Sequence, residues 1–200
     1  IAMTVTVQGL SGGPVAQLLG VRRARNSGYL LLGANPLACH VARHLSASGE
    51  EVTLIDANAD ECRAAEAAGF QVLPGNAFDA ETLARARPDS RLACVGLTSN
   101  EGINLEFARK IAEEFHGPAT YVAIEADAHG VTVEAVLAQH ARVLFGGASG
   151  LQGWFARWRR DGVEAVWHRR EGAGEATAVV VGAPRADVLP LVIRRGERAE

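Results

Sequence analysis

The sequence predicts an α/β protein built on a doubly wound parallel sheet, and three observations carry that expectation. Short β-rich runs alternate with helical stretches from Tyr29 to about Phe145, and strands separated by helices pair in parallel through right-handed crossovers. Val95, Val122 and Ile124 fall in runs that are apolar throughout, as strands covered by helices on both faces must be. The first β-rich run passes directly into a glycine-led turn and a helix, the opening of a nucleotide-type fold.

The elements follow in order. Tyr29–Leu32 is the first strand, and Leu37, Val41 and Leu45 line one face of the helix after it at the three- and four-residue spacing of an amphipathic helix. Val52–Ile55 is the second strand. Asn58 with Glu61 opens the next helix as a capping-box-like pair, and Gly69 stands where a helix closes on a left-handed residue. Gln71–Leu73 is the third strand, and Asp79 caps the third helix. Leu92–Leu97 is the fourth strand; Ile103, Phe107 and Ile111 are the buried face of the fourth helix, which Gly117-Pro118 stops. Thr120–Ile124 and Val143–Phe145 complete a Rossmann-like sheet. The flanks differ. Residues 1–27 are Gly-rich and run into Arg22, Arg23 and Arg25, while 148–162 read as an amphipathic helix carrying Leu151, Trp154, Phe155 and Trp158. Val163–His168, Ala176–Val181 and Leu189–Ile193 then read as the start of a short C-terminal β-rich appendage over 163–200, leaving 28–147 as the main domain.

Composition narrows the function. The net charge of −3 lacks the basic excess a nucleic-acid surface needs, so no nucleic acid is expected as a partner. Cys39, Cys62 and Cys94 form no C-x-x-C pair and predict neither a disulfide framework nor a zinc knuckle. His40 and His44 share a helix face but have no third ligand and no intervening Glu, so surface histidines are expected there. Cys94 reads as a buried, inert thiol and Cys62 as one that can be exposed. Glu125, Asp127 and His129 follow the fifth strand, but no base is paired with an orienting partner; polar loop residues, and no enzyme, are the expectation.

The chemistry-bearing constellation is the turn Gly33-Ala34-Asn35-Pro36-Leu37-Ala38, with Asp56 at the close of the second strand. The turn occupies the place of G-x-G-x-x-G, where exposed helix N–H groups and the helix dipole draw a pyrophosphate. Asp56 stands about 20 residues on, where a carboxylate accepts from ribose hydroxyls. Asn35 replaces the second glycine. It can take the positive φ of such a turn, it projects a side chain into the phosphate's space, and it can cap the helix ahead of Pro36. Nucleotide binding and an empty fold both remain open on these residues alone.

Gly75-Asn76-Ala77-Phe78-Asp79 after the third strand, and Thr98-Ser99-Asn100-Glu101-Gly102-Ile103-Asn104 after the fourth, add two more motifs. With Gly33 and Asp56 they make the chain resemble the TrkA-N or RCK (regulator of potassium conductance) domain over about residues 28–145. It departs from the family pattern at Asn35 and at Asn76, where the family usually has Asp. The resemblance implies that the backbone of Gly33, Ala34, Asn35, Pro36, Leu37 and Ala38 holds phosphates and Asp56 the ribose. It further implies that Asn76 and Ala77 meet the adenine edge, and Thr98 with Asn100 the far end of the ligand. The ligand implied is NAD(H) or an adenine nucleotide (AMP, ADP or ATP), and the function implied is gating of a monovalent-cation channel or transporter from its cytosolic side, as a homodimer. Thr4–Leu10 through Leu18–Val21 resembles the close of the last membrane helix of bacterial sodium/proton antiporters, and Arg22, Arg23 and Arg25 after it suit the positive-inside rule. The transmembrane antiporter or channel domain of a longer parent protein is therefore an expected partner, and the cytoplasmic face of the membrane the expected location. A ligand-free dimerisation scaffold and an NAD(P)-dependent oxidoreductase fragment are the alternatives.

Overall fold

A computed structural model describes residues 27–115, 118–125, 130–144, 152, 153, 155 and 156, and the backbone of 165–169, 176–181 and 189–195. Six parallel strands form one sheet: β1 (Tyr29–Leu32), β2 (Val52–Asp56), β3 (Gln71–Pro74), β4 (Ala93–Gly96), β5 (Ala119–Ala123) and β6 (Arg142–Leu144). Their spatial order is β3-β2-β1-β4-β5-β6. The chain winds outward one way from β1 to β3 and returns to the other side of β1 at β4. That reversal leaves a crevice at the carboxyl ends of β1 and β4, the usual ligand position in such sheets. The helices are α1 (Pro36–Ala47), α2 (Ala59–Ala67), α3 (Ala80–Ala86), α4 (Glu101–Glu114) and α5 (Val133–Ala138).

Two apolar layers sandwich the sheet. Leu31, Leu54, Val95 and Ala123 pack with Leu37, Val41 and Leu45 of α1 on one face; Leu30, Ile55 and Cys94 pack with Leu83, Phe107 and Ile111 on the other. Successive residues of β1, Leu30 and Leu31, therefore serve opposite layers, the period-two alternation of a strand in a strand buried on both faces. The α1 face is the one its spacing predicts. The α4 face is turned by one residue: Ile103 is 40% exposed, whereas Asn104 is fully buried with Phe107, Ala108 and Ile111. Gly96 explains the turn. A Cβ there would come within 2.8 Å of the Asn104 Cβ, so the missing side chain lets α4 settle on β4 with Asn104, not Ile103, inward.

The helix starts are capped by the expected residues, with one change of partner. The Asn58 side chain accepts from the N–H groups of Asp60 and Glu61, but the reciprocal bond from the Asn58 N–H goes to Asp56 Oδ1 at 2.8 Å, not to Glu61. Asp79 accepts from Thr82 N–H at 2.9 Å, and Gly69 has φ +88°. Gly117 lies outside the described residues. Beyond the sheet, β7 (Ala165–Arg169), β8 (Ala176–Val181) and β9 (Leu189–Arg195) form an antiparallel three-stranded sheet in that order. Among the described residues no helix is long and apolar enough to cross a membrane.

Candidate functional site

The site is assembled at the carboxyl ends of β1 to β4. Gly33 leaves β1 with φ +114°, and a Cβ there would meet Asn35 Nδ2 at 3.0 Å and Leu97 O at 3.1 Å. Only glycine suits both the backbone angle and the space. The positive φ thus sits at Gly33; Asn35 has φ −65° and ψ 167°, ordinary extended backbone, so the turn does not draw on asparagine's tolerance of the left-handed region.

Asn35 also departs from the steric expectation. Its side chain is buried, 7% exposed. Oδ1 accepts from Ala38 N–H at 3.0 Å, and Nδ2 donates to Leu97 O at 2.7 Å. The amide is drawn inward because it alone in this turn carries both a donor for the carbonyl at the end of β4 and an acceptor for the first turn of α1. It therefore caps the helix, as expected, and joins β1 to β4 across the crevice; it does not occupy the phosphate's space.

Capping has a cost for a ligand. Ala38 N–H is taken by Asn35, Ala34 N–H donates to Asp56 Oδ2 at 2.7 Å, and Pro36 has no N–H. The Asn35 and Leu37 N–H groups remain as donors at the helix N-terminus, together with the dipole. Leu37 and Ala38 bury their side chains in the core, so the turn presents backbone to the crevice.

Asp56 is bonded at both oxygens, Oδ2 to Ala34 and Oδ1 to Asn58. A carboxylate offers about four lone-pair sites; the Glu61 carboxyl hydrogen-bonds the same group, which leaves about one for a ribose hydroxyl. Glu61 stands beside it: burial first, and then the Asp56 charge, push the Glu61 carboxyl above its ordinary range. Gly75 N–H donates to Asp56 O at 2.9 Å and brings the segment after β3 alongside. There Asn76 is exposed and accepts from Phe78 N–H at 2.9 Å, a local turn, while the Ala77 methyl is buried in the second apolar layer. Any contact of Ala77 with a ligand would come from its backbone.

Thr98 and Asn100 are organised by a residue whose role the sequence did not disclose. Asn104 Oδ1 accepts from Thr98 N–H (2.9 Å) and Thr98 Oγ1 (2.7 Å), and Nδ2 donates to Thr98 O and Ala123 O, both at 3.0 Å. One buried amide so ties the ends of β4 and β5 together, while Asn100 caps α4 through Ile103 N–H. Glu101 was missed as well. Its carboxylate accepts from Glu125 N–H at 2.7 Å and Val131 N–H at 2.8 Å, holding the rim after β5. The signal for both was the spacing Thr98-x-x-Glu101-x-x-Asn104, which puts two polar groups on the strand-facing side of a helix start.

Glu125 accepts from Gln152 N–H at 2.6 Å, and Gln152 Nε2 donates to Ser99 O at 2.9 Å. Phe155 packs against the layer formed by α1. The helical residues 152, 153, 155 and 156 thus close on the chain's own site; Trp154, Trp158, Asp127 and His129 lie outside the described residues. His40 and Cys62 are buried, at 8% and 2% exposure, contrary to their sequence readings: Cys62 Sγ donates to Asp56 O at 3.3 Å at the end of β2, and the His40 ring lies edge-on to His44, with centroids 4.6 Å apart. Burial, then His44 and Arg43, lowers the His40 pKa to about 4.

The TrkA-N domain profile matches residues 29–146. The chain belongs to the TrkA-N domain family. Its TrkA-N domain shares a fold with that of the inner membrane protein ybaL from Escherichia coli (16% identity, TM-score 0.54, 66% of this chain and 93% of that one). It is also similar to the NAD(P)-binding domain of an exopolyphosphatase-related protein from Archaeoglobus fulgidus (17% identity, TM-score 0.53, 67% and 98%). The GsuK RCK domain is a third relative in fold (16% identity, TM-score 0.53), matching 80% of this chain with about a third, 34%, of its own. No curated protein sequence matches the chain.

Proposed function

We propose that the TrkA-N domain binds NAD(H) or an adenine nucleotide across the carboxyl ends of β1 to β4 and acts as a cytosolic regulatory module of a monovalent-cation transport system. The reading includes a transmembrane antiporter or channel domain of the same parent protein as partner, on the cytoplasmic face of the membrane, and a homodimer whose rearrangement on ligand binding gates transport. It assigns no catalytic step to the chain. The observation that carries it is the junction at β1: a glycine at φ +114°, two backbone N–H groups left at the α1 N-terminus, and the Asp56 carboxylate beside them at the end of the next strand. Similar folds support it, since GsuK structures are described as bound to NAD (13% identity, TM-score 0.51) and to ADP (16%, 0.51).

In this reading the phosphates rest on Asn35 and Leu37 N–H, the ribose on Asp56, the base beside Asn76 and Ala77, and the distal part of a dinucleotide near Thr98 and Asn100. Titration calorimetry with NAD⁺, NADH, AMP, ADP and ATP tests it. Binding of at least one is expected, weakened about tenfold by D56N, the effect of losing a charged hydrogen-bond acceptor. A ligand-free dimerisation scaffold is the second reading, and the donors already spent at Ala34 and Ala38 favour it. Absence of heat with all five ligands at millimolar concentration, with a dimer by light scattering, establishes that alternative and removes the sensing role.

A further inference from the structure

A polar cleft of about 690 Å³ lies at the opposite, amino-terminal edge of the sheet. Its size is within the roughly 300–1,000 Å³ of small-molecule sites. Arg85, Arg87 and Arg91 line it, with Ser27, Ser46 and Phe70. None of the three guanidinium groups is in an ion pair among the described residues.

Two of the three are held in unusual ways. Arg91 Nε donates to Ala86 O at 3.2 Å and Nη2 to Thr53 Oγ1 at 3.1 Å, so the group is fixed in place with three of its five N–H donors unspent. Arg87 ends α3 in the left-handed conformation, φ 53° and ψ 58°, where Gly or Asn is the ordinary occupant. A long cation kept at a backbone position that disfavours it points to a use for its charge. Glu50 and Glu51 also line the cleft, so three guanidinium groups against two carboxylates leave a net charge of about +1, which a single phosphate group matches. What fits is a compact anion that takes forked N–H donors.

We propose that this cleft binds a phosphate group through Arg85, Arg87 and Arg91. Guanidinium forks match phosphate oxygens in pairs, and Ser27 and Ser46 add neutral donors. The group can belong to a free small molecule or to a phospholipid headgroup. The site is separate from the nucleotide edge and does not depend on it.

The test uses the full 200-residue chain at low ionic strength, where partly exposed charge pairs are least screened. Inorganic phosphate is titrated calorimetrically, and flotation is measured with phosphatidylglycerol and with phosphatidylcholine vesicles. Heat with inorganic phosphate identifies a free-phosphate site; flotation with phosphatidylglycerol alone identifies a headgroup site. In either case R85Q combined with R87G is expected to weaken binding at least fivefold, and R87G by itself to leave the urea midpoint unchanged or raised because glycine accepts φ 53°. If the pair does not fold, R87G alone is read, with a loss of at least twofold expected. No binding of phosphate or anionic vesicles, or binding undiminished by these variants, overturns the proposal.

Discussion

The most exacting prediction concerns Asn35, whose two side-chain bonds serve different partners. Asn35→Asp keeps the acceptor that caps α1, and Asp equals Asn as an N-cap. It replaces the Nδ2 donor with an oxygen facing Leu97 O, now 2.7 Å from Nδ2. Leu97 is fully buried, and a buried carbonyl that loses its donor costs about 1–3 kcal/mol. Repulsion between the new carboxylate and that oxygen adds to this, as does the Asp56 carboxylate, which already holds Ala34 N–H. N35D is therefore expected to destabilise by at least about 1.5 kcal/mol. N35A loses the cap as well, worth about 1 kcal/mol, for a total of about 2–4 kcal/mol. Urea unfolding followed by far-ultraviolet circular dichroism measures both, and with m of about 1–3 kcal/mol/M the N35D midpoint falls by roughly 0.5–1.5 M. A stability for N35D within about 0.5 kcal/mol of the parent would mean that the cap alone matters and that the β1–β4 tie contributes nothing.

Three further outcomes are expected. His40 is held neutral, its pKa lowered to about 4, so the unfolded chain binds more protons between about pH 6.5 and 4. Stability attributable to His40 is full above pH 6.5 and is lost as pH falls through that window, by up to about 1.4 kcal/mol per pH unit. H40Q should flatten the acid limb of a urea-midpoint profile, and parallel profiles refute the assignment. Asn104→Leu strands the buried Ala123 carbonyl and the half-buried Thr98 carbonyl and is expected to cost about 2–4 kcal/mol; a loss below about 1 kcal/mol in the same assay contradicts the role given to that amide. Burial pushes the Cys94 thiol up to about 12 and the Cys62 thiol upward as well. Neither should react with a disulfide reagent at pH 8 until guanidinium is added, whereas half-buried Cys39 reacts slowly; rapid native-state labelling of Cys94 refutes its burial.

The site was legible in its positions more than in its bonds. Gly33 and Asp56 could be placed from spacing because a strand–turn–helix unit has little freedom in length. The direction of the Asn35 side chain could not, since it is set by a carbonyl on β4, some 60 residues away in the chain. Asp56 likewise read as a free ribose acceptor, yet Ala34 and Asn58 already use both of its oxygens.

By itself the sequence determined the element order, the parallel winding and the caps of α1, α2 and α3, at Asn35, Asn58 and Asp79. Hydrophobic period and capping are short-range properties, set within a few residues, and Leu37, Val41 and Leu45 or Asp79 satisfy them locally. Tertiary structure decided which of Ile103 and Asn104 turns inward, that His40 and Cys62 are covered, and that Arg85, Arg87 and Arg91 come to one cleft. Those outcomes depend on how closely two elements approach. Gly96 shows the physical reason: by lacking a side chain it lets α4 approach β4 with Asn104 inward, and the buried amide then shapes the rim of the site.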